Sequence, residues 1–355
     1  TLLRKVSGAW DDIHERQMYI TGGVSVAEHY EHDYVKPLSG NIVETCATMS
    51  WMQLTQQLLE LTGESKYADA MERLMINHVF AAQDCESGVC RYHTAPNGSK
   101  PDGYFHGPDC CTASGHRIIS MLPTFIYAEK GKEFYINQYM PSQYTGKDFA
   151  FEITGNYPES ENMQLTIVSE KAKNKTLNLR IPSWCEHPEI KVNGENIADV
   201  SRKWTKGDKV SITFPMEEKW VSRSHHSKYV SYKLAGGEIM YKEEPTDRIP
   251  YAFVRGPIVY SLDMVWNKQL CNDDVNMDQD IRMNTTMKPT LINKPDNNML
   301  GPVYQTKALY KGSEVDVILT PFANIGQWFR PDGIKPQKYA NAFTYGIWLY
   351  NIGTK

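Results

Sequence analysis

Near Glu133 the hydrophobic pattern of this chain changes period. Before that point apolar residues recur at helical spacing; after it, short apolar or alternating runs of three to six residues follow one another. Leu2, Leu3, Val6, Trp10 and Ile13 predict a helix over 2–18, with Gly22-Gly23 supplying its exit. Met49, Met52, Leu54, Leu58, Leu59 and Leu61 predict a second over 42–61, closed by Thr62-Gly63. Ser65 is placed to cap a third, Lys66 to about Phe80, and a fourth spans Thr112 to Tyr127 with Pro123 kinking it or displacing a turn. Strands are expected at 134–139, 149–153, 165–168, 177–181, 190–192, 210–214, 258–260 and 315–319. Asn193-Gly194, Lys206-Gly207-Asp208 and Arg255-Gly256-Pro257 provide turns between them. The expected fold class is mainly α, then all-β: a helical domain over 1–132 and a β-sandwich region over 133–355, with a long loop or insertion near 264–300.

The composition narrows the function classes. A net charge of -4 with both signs dispersed gives no basic footprint for nucleic acid, and no apolar run reaches the length of a membrane span. Seven cysteines at irregular spacing are not a disulfide framework, although Cys85 and Cys90 flank a short turn and are a conceivable pair; Cys185 and Cys271 read as buried apolar residues. Nothing here chooses a compartment, so bacterial cytoplasm and periplasm both stay open. Thr1-Leu2-Leu3-Arg4-Lys5 carries no initiator Met and no signal pattern, and any export signal is expected to lie outside this sequence.

Two clusters carry chemistry. Cys110-Cys111 lie where a Gly/Pro/Asp-rich loop meets a helical run, too close together for an ordinary disulfide. Glu44-Thr45-Cys46 opens another helical run. One carboxylate and three sulfurs make a tetrahedral donor set for zinc. Glu44 and Cys46 are two apart, which converges only at a frayed helix start or in the loop before it. On spacing alone, three thiols that cluster without metal are the more ordinary outcome, because no CxxC pair is present. Acid/base candidates are Glu28, Glu31, Asp33 and Asp109, each equally consistent with a solvated charge. Glu72, beside core-facing Met71, is equally consistent with a helix–helix salt bridge. His29/His32 and His225-His226 read as exposed polar pairs. Phosphate-cradling, HExxH and GxSxG motifs are absent.

Taken in order, Tyr19-Ile20-Thr21-Gly22-Gly23, Glu28-His29-Tyr30, Glu44-Thr45-Cys46-Ala47, Lys66 to Arg73, Cys110-Cys111 and Arg117 resemble glycoside hydrolase family 127, the β-L-arabinofuranosidases. Leu179 to Trp184, Val192-Asn193-Gly194, Trp204 with Lys206-Gly207-Asp208, and Arg255 to Tyr260 continue the resemblance, which spans most of 19–260. It implies an (α/α)6 barrel followed by a β-sandwich (jelly-roll-like) domain. About four helices fit into 1–130, so the expectation is the last part of such a barrel plus its sandwich.

Carried over residue by residue, the resemblance implies Glu28 as acid/base and Cys110 as nucleophile. It implies Glu44, Cys46, Cys110 and Cys111 as zinc ligands and Glu72 as a supporting carboxylate. The implied reaction is retaining hydrolysis of an L-arabinofuranose-like sugar from a plant-type glycan, with sulfur replacing the second carboxylate of the usual scheme. Four anionic donors exceed the charge of a dication by two, which leaves a sulfur electron-rich. Two other readings stay open: a zinc-stabilised carbohydrate-binding or scaffold protein without turnover, and a lyase or epimerase using the Tyr/His-rich loop 29–34. The neighbours of the cysteine pair depart from the family's CCPPN-like run, reading Cys111-Thr112-Ala113-Ser114-Gly115-His116, and Tyr34-Val35-Lys36-Pro37 stands for a YELP-like stretch. Substrate identity is therefore less constrained than reaction type. Glycan is the expected partner, without nucleic acid or membrane.

Overall fold

The computed structural model describes residues 1–30, 38–83, 88–99, 109–169, 175–196, 201–222, 230–234, 237–241, 249–270, 277–295, 299–325 and 344–352. Four main helices come first: α1 (Leu2–Arg16), α2 (Thr45–Thr62), α3 (Ser65–Arg73) and α4 (Cys110–Met121). Thr1 caps α1 by accepting from the Arg4 amide. The third predicted helix is broken in kind: after Arg73 it continues as a π-helix, Leu74–Val79, with every side chain buried. Pro123 displaces a turn as expected, because α4 gives way to a 3-10 turn at Leu122–Phe125.

Chain contacts group the residues into two compact units. The first comprises Thr1–Leu54, Arg73–Ile119 and Glu218–Lys355. Its main sheet runs Asn97–Ser99, Thr344–Gly346, Ile258–Asp263, Ser313–Pro321, Val303–Tyr310, Ile281–Met283, all antiparallel. Pro250–Arg255 pairs with Ile258–Asp263 and brings in Glu218–Ser222 and Leu349–Tyr350. Within 264–300, expected as a loop or insertion, Ile281–Met283 and Thr290–Ile292 both pair with Val303–Tyr310. Apolar burial centres on Leu38, Ala81, Ala252, Val259, Phe322, Ile325 and Trp348.

Two buried amides stitch distant segments of this unit together. Asn97 accepts from the Ile347 and Trp348 amides and donates to the Trp348 carbonyl. Asn77, in the π-helix, accepts from Val259 N at 2.8 Å and donates to the Pro257 carbonyl at 2.9 Å. Asn77→Leu leaves a buried N–H and C=O without partners, so it is expected to cost about 2–4 kcal/mol. Urea unfolding with an unchanged slope would register that loss.

The second unit comprises Thr55–Glu72 and Ser120–Glu217. One sheet orders Ser201–Arg202, Lys175–Leu179, Glu133–Ile136 and Tyr127–Lys130; Glu133–Ile136 and Lys175–Leu179 run parallel. The other orders Ser142–Thr145, Ala150–Gly155, Asn162–Ile167, Lys209–Thr213, Glu189–Val192 and Glu195–Asn196. Alternation along Asn162–Ile167 points Met163, Leu165 and Ile167 inward. Aromatic rings fill the space between the sheets: Phe134 from one meets Phe151 from the other edge-on at 5.2 Å. The Asn193-Gly194 turn has φ of 52° and 89°, positive at both central residues as a tight hairpin requires.

Candidate active site

The site is built in the first unit from three stitched segments and one helix start. Ser25–His29 forms a tight turn in which the amides of Val26 and His29 bond each other's carbonyls. That turn is tied to 41–44: Ala27 N donates to Asn41 O, Val43 N to Ser25 O, and Glu44 N to the Ser25 hydroxyl. The third segment joins through Thr45 N to Tyr92 O and Thr94 N to Val43 O. Tyr19, Val26, Ile42, Val43 and Ala95 form the apolar floor. Gly22 lies so close to the π-helix that an added Cβ would stand 2.5 Å from Leu74 N, fixing how the chain enters the turn.

The backbone here is strained. Ser25, Ala27 and Glu28 hold φ of 91°, 46° and 71°, and Val43 holds 56°. Left-handed conformations disfavour side chains with a Cβ, β-branched ones most. Three of these four residues are, or immediately precede, a predicted site carboxylate: Ala27 and Glu28 itself, and Val43 before Glu44. Strain concentrated in this way accompanies functional loops whose surroundings over-determine them.

The two predicted clusters come together. The ligand atoms of Glu44, Cys46, Cys110 and Cys111 all lie within 4.8 Å of one another. Cys111 Sγ is 3.4 Å from Cys46 Sγ, 3.4 Å from Glu44 Oε1 and 3.9 Å from Cys110 Sγ. The awkward i, i+2 spacing is resolved as anticipated: Glu44 precedes α2, accepting from Ala47 N at 3.3 Å, while Cys46 sits in the first turn. Asp109 likewise caps α4 by accepting from Thr112 N, so Cys110 and Cys111 are its first two residues. Their exposure differs: Cys111 is buried and Cys110 is exposed.

Burial pushes the Cys46 thiol up to about 11 and the Cys111 thiol higher still, with the Glu44 charge adding to both; Glu44 itself is raised, first by burial. Anions held this way want a cation. The chemistry of the donor set and its spacing therefore fit a metal ion whose binding would release protons. A positive group stands nearby: Arg117 donates to Ser114 Oγ, which is 3.1 Å from Cys46 Sγ.

Glu28 is not a member of the cluster but is joined to it. Tyr92 Oη donates to Glu28 Oε1 at 2.5 Å and receives Cys110 Sγ at 3.8 Å. The hydrogen bond to Glu28, with burial second, pushes the Tyr92 phenol well above its ordinary range. His93 beside it is held low, to about 4, by burial. Neither Tyr92 nor Ser114 is singled out by sequence spacing; an aromatic residue next to His93 in an otherwise irregular stretch is the only cue. Glu72 is placed in the second unit, where Arg180, Tyr157 and Trp184 all bond its carboxylate. Glu31, His32, Asp33, Tyr34, Cys85, His225, His226 and Cys271 lie outside the described residues.

Comparison with known proteins identifies the family. Residues 1–124 match the β-L-arabinofuranosidase GH127 catalytic domain and residues 133–216 the GH127 middle domain, together more than half of the chain. A non-reducing end β-L-arabinofuranosidase of Bifidobacterium longum subsp. longum is 26% identical over 301 residues, covering 74% of this chain and 43% of that protein. The crystal structure of a GH127 β-L-arabinofuranosidase from Geobacillus stearothermophilus T6 superposes with a TM-score of 0.74 at 23% identity, over 99% of this chain and 57% of the other. A second solved GH127 β-arabinofuranosidase gives 0.71 at 23% identity, over 96% and 55%. At such identity the structural likeness is one of fold, and the chain spans about half the length of the relatives it matches. Two matched domains of one family, in order along the sequence, make this chain a member of glycoside hydrolase family 127.

Proposed function

We propose that this chain carries the catalytic residues of a retaining glycoside hydrolase that releases an L-arabinofuranose-like sugar from a plant-type glycan. The observation that carries this reading is the meeting of Glu28 and Cys110 on one tyrosine hydroxyl, beside the Glu44/Cys46/Cys111 cluster. The named activity of the relatives supports the sugar class. In the same reading the four helices are part of an (α/α)6 barrel over 1–132, and 133–355 supplies the β-sandwich region.

Zinc suits the cluster, since tetrahedral zinc–sulfur bonds of about 2.3 Å set ligand sulfurs about 3.8 Å apart, beside the 3.4 and 3.9 Å found here. When bound through Glu44, Cys46, Cys110 and Cys111, the ion would keep the sulfurs deprotonated and orient them. Exposed Cys110 then attacks the anomeric carbon while Glu28 gives its proton to the departing oxygen, forming a thioglycoside. In the second half-reaction Glu28 takes a proton from water, the water oxygen attacks the same carbon, and the sulfur leaves as thiolate. Two inversions give retention. The Glu28 oxygen and the Cys110 sulfur can be no further apart than the sum of their contacts to Tyr92, 2.5 and 3.8 Å, about 6.3 Å. That bound supports retention, because inverting pairs stand roughly 6.5–9.5 Å apart to admit a water. Glu72 takes no step in this scheme, both its oxygens being bonded by Arg180, Tyr157 and Trp184.

Metal analysis and product NMR on one preparation, with aryl L-arabinofuranosides as substrates, test the proposal. One zinc per chain and an initial product of unchanged anomeric configuration are expected. Removing zinc with a chelator should abolish turnover and lower the melting temperature by roughly 5 °C or more, both restored by zinc. Folded protein without zinc would remove the metal centre. Sugar binding without release of reducing ends would favour the zinc-stabilised binding protein instead.

A further inference from the structure

We propose that Tyr92 is a positioning residue that couples the two reacting groups, turning its single hydroxyl proton toward whichever of Glu28 and Cys110 is charged. The inference rests on the reaction proposed above but concerns a residue to which that scheme assigns no step. Its basis is geometric: one oxygen lies 2.5 Å from Glu28 Oε1 and 3.8 Å from Cys110 Sγ. The backbone of this residue is also anchored beside the cluster. Its carbonyl accepts from Thr45 N at the start of the helix that carries Cys46, and a backbone bridge joins His93 to Glu44.

A phenol has one proton to donate and lone pairs to accept with. Before attack the carboxyl is protonated and the sulfur is a thiolate, so Glu28 donates to Tyr92 and Tyr92 donates to sulfur. After attack the sulfur is an uncharged thioether and Glu28 is a carboxylate, so the same proton turns back to Glu28. No proton leaves Tyr92 and none is gained. The hydroxyl thus follows the negative charge as it alternates between its two partners, and it keeps them at a separation suited to double displacement.

Tyr92→Phe removes the hydroxyl and keeps the half-buried ring. It is expected to lower kcat about 100-fold, the scale for losing one donor to a charged group in a reaction, with KM within about threefold. The melting temperature should stay close to that of the parent chain. A kcat within about threefold of the parent overturns the proposal, as does a raised KM with kcat unchanged, which would mark a plain substrate contact. A readout independent of turnover is a crystal structure of the zinc-loaded full chain. Tyr92 Oη within hydrogen-bond reach of both Glu28 and Cys110 supports the coupling even if L-arabinofuranosides prove not to be substrates. A hydroxyl turned away from either group sinks the coupling even if they are.

Discussion

Replacing Cys110 by Ser is expected to lower turnover of an aryl L-arabinofuranoside by a factor on the order of 10⁴ while leaving the protein folded. The magnitude follows from loss of a nucleophile whose partners act as a unit with it. A serine hydroxyl is a far poorer nucleophile than a thiolate and a harder ligand, less suited to zinc. The fold should tolerate the change because Cys110 is exposed and stands at the first position of a helix whose cap is supplied by Asp109. Cys111→Ser should behave differently. That sulfur is buried at the centre of the cluster, in contact with Glu44, Cys46 and Cys110, so its loss should weaken metal binding and stability together. Intact mass after trapping with an electrophilic L-arabinofuranosyl reagent gives a second readout. One adduct on the parent chain, located at Cys110, and none on the Ser variant is the expected pattern. Hydrolysis by Cys110→Ser within tenfold of the parent would remove Cys110 as nucleophile.

The site residues were legible for different reasons. Glu44 and Cys46 could be paired because an i, i+2 spacing at a helix start allows only a few outcomes, and Cys110-Cys111 because adjacent thiols have few ordinary uses. Spacing alone still favoured clustered thiols without metal; it was the family resemblance that set Glu28 apart from Glu31, Asp33 and Asp109. Tyr92 was beyond reach, since its role depends on two contacts separated by 64 and 18 residues along the chain. The same limit holds for the fold. Helical spacing located α1 to α4, yet it gave no hint that Leu74–Val79 would widen into a π-helix, because Asn77 and His78 are buried with the rest and no exposed face marks the phase of the run. Nor does local pattern reveal that Asn97–Ser99 pairs with Thr344–Gly346, some 245 residues away. Local chemistry is written locally, whereas pairing across the chain is decided by burial and by unsatisfied backbone groups.

The largest stability effect is expected at Arg180. Its guanidinium lies between Asp69 and Glu72, bonding Asp69 Oδ1 at 2.5 Å and Glu72 Oε1 at 2.5 Å, and its Nε reaches the Asn137 carbonyl. Side-chain exposure is 3% for Arg180 and 1% for Glu72, so water cannot replace what is removed. Burial pushes the Asp69 carboxyl up even with Arg180 alongside, which says that desolvation outweighs the attraction at that residue. At Arg180 itself burial is outweighed by the attraction of Glu72 and Asp69, which holds the guanidinium charged, so removing it from between the two carboxylates is costly. Arg180→Met leaves two carboxylates and a carbonyl facing an apolar stem, and it is expected to destabilise the second unit by about 3–5 kcal/mol. Adding Glu72→Gln to Arg180→Met should recover part of that loss, because the amide keeps the contacts of Trp184 and Tyr157 without a stranded charge. Urea unfolding of the single and double variants measures both effects. A double variant less stable than Arg180→Met would mean that the stranded charge is not the cause, and that the loss of the guanidinium from over the Tyr139 ring matters more.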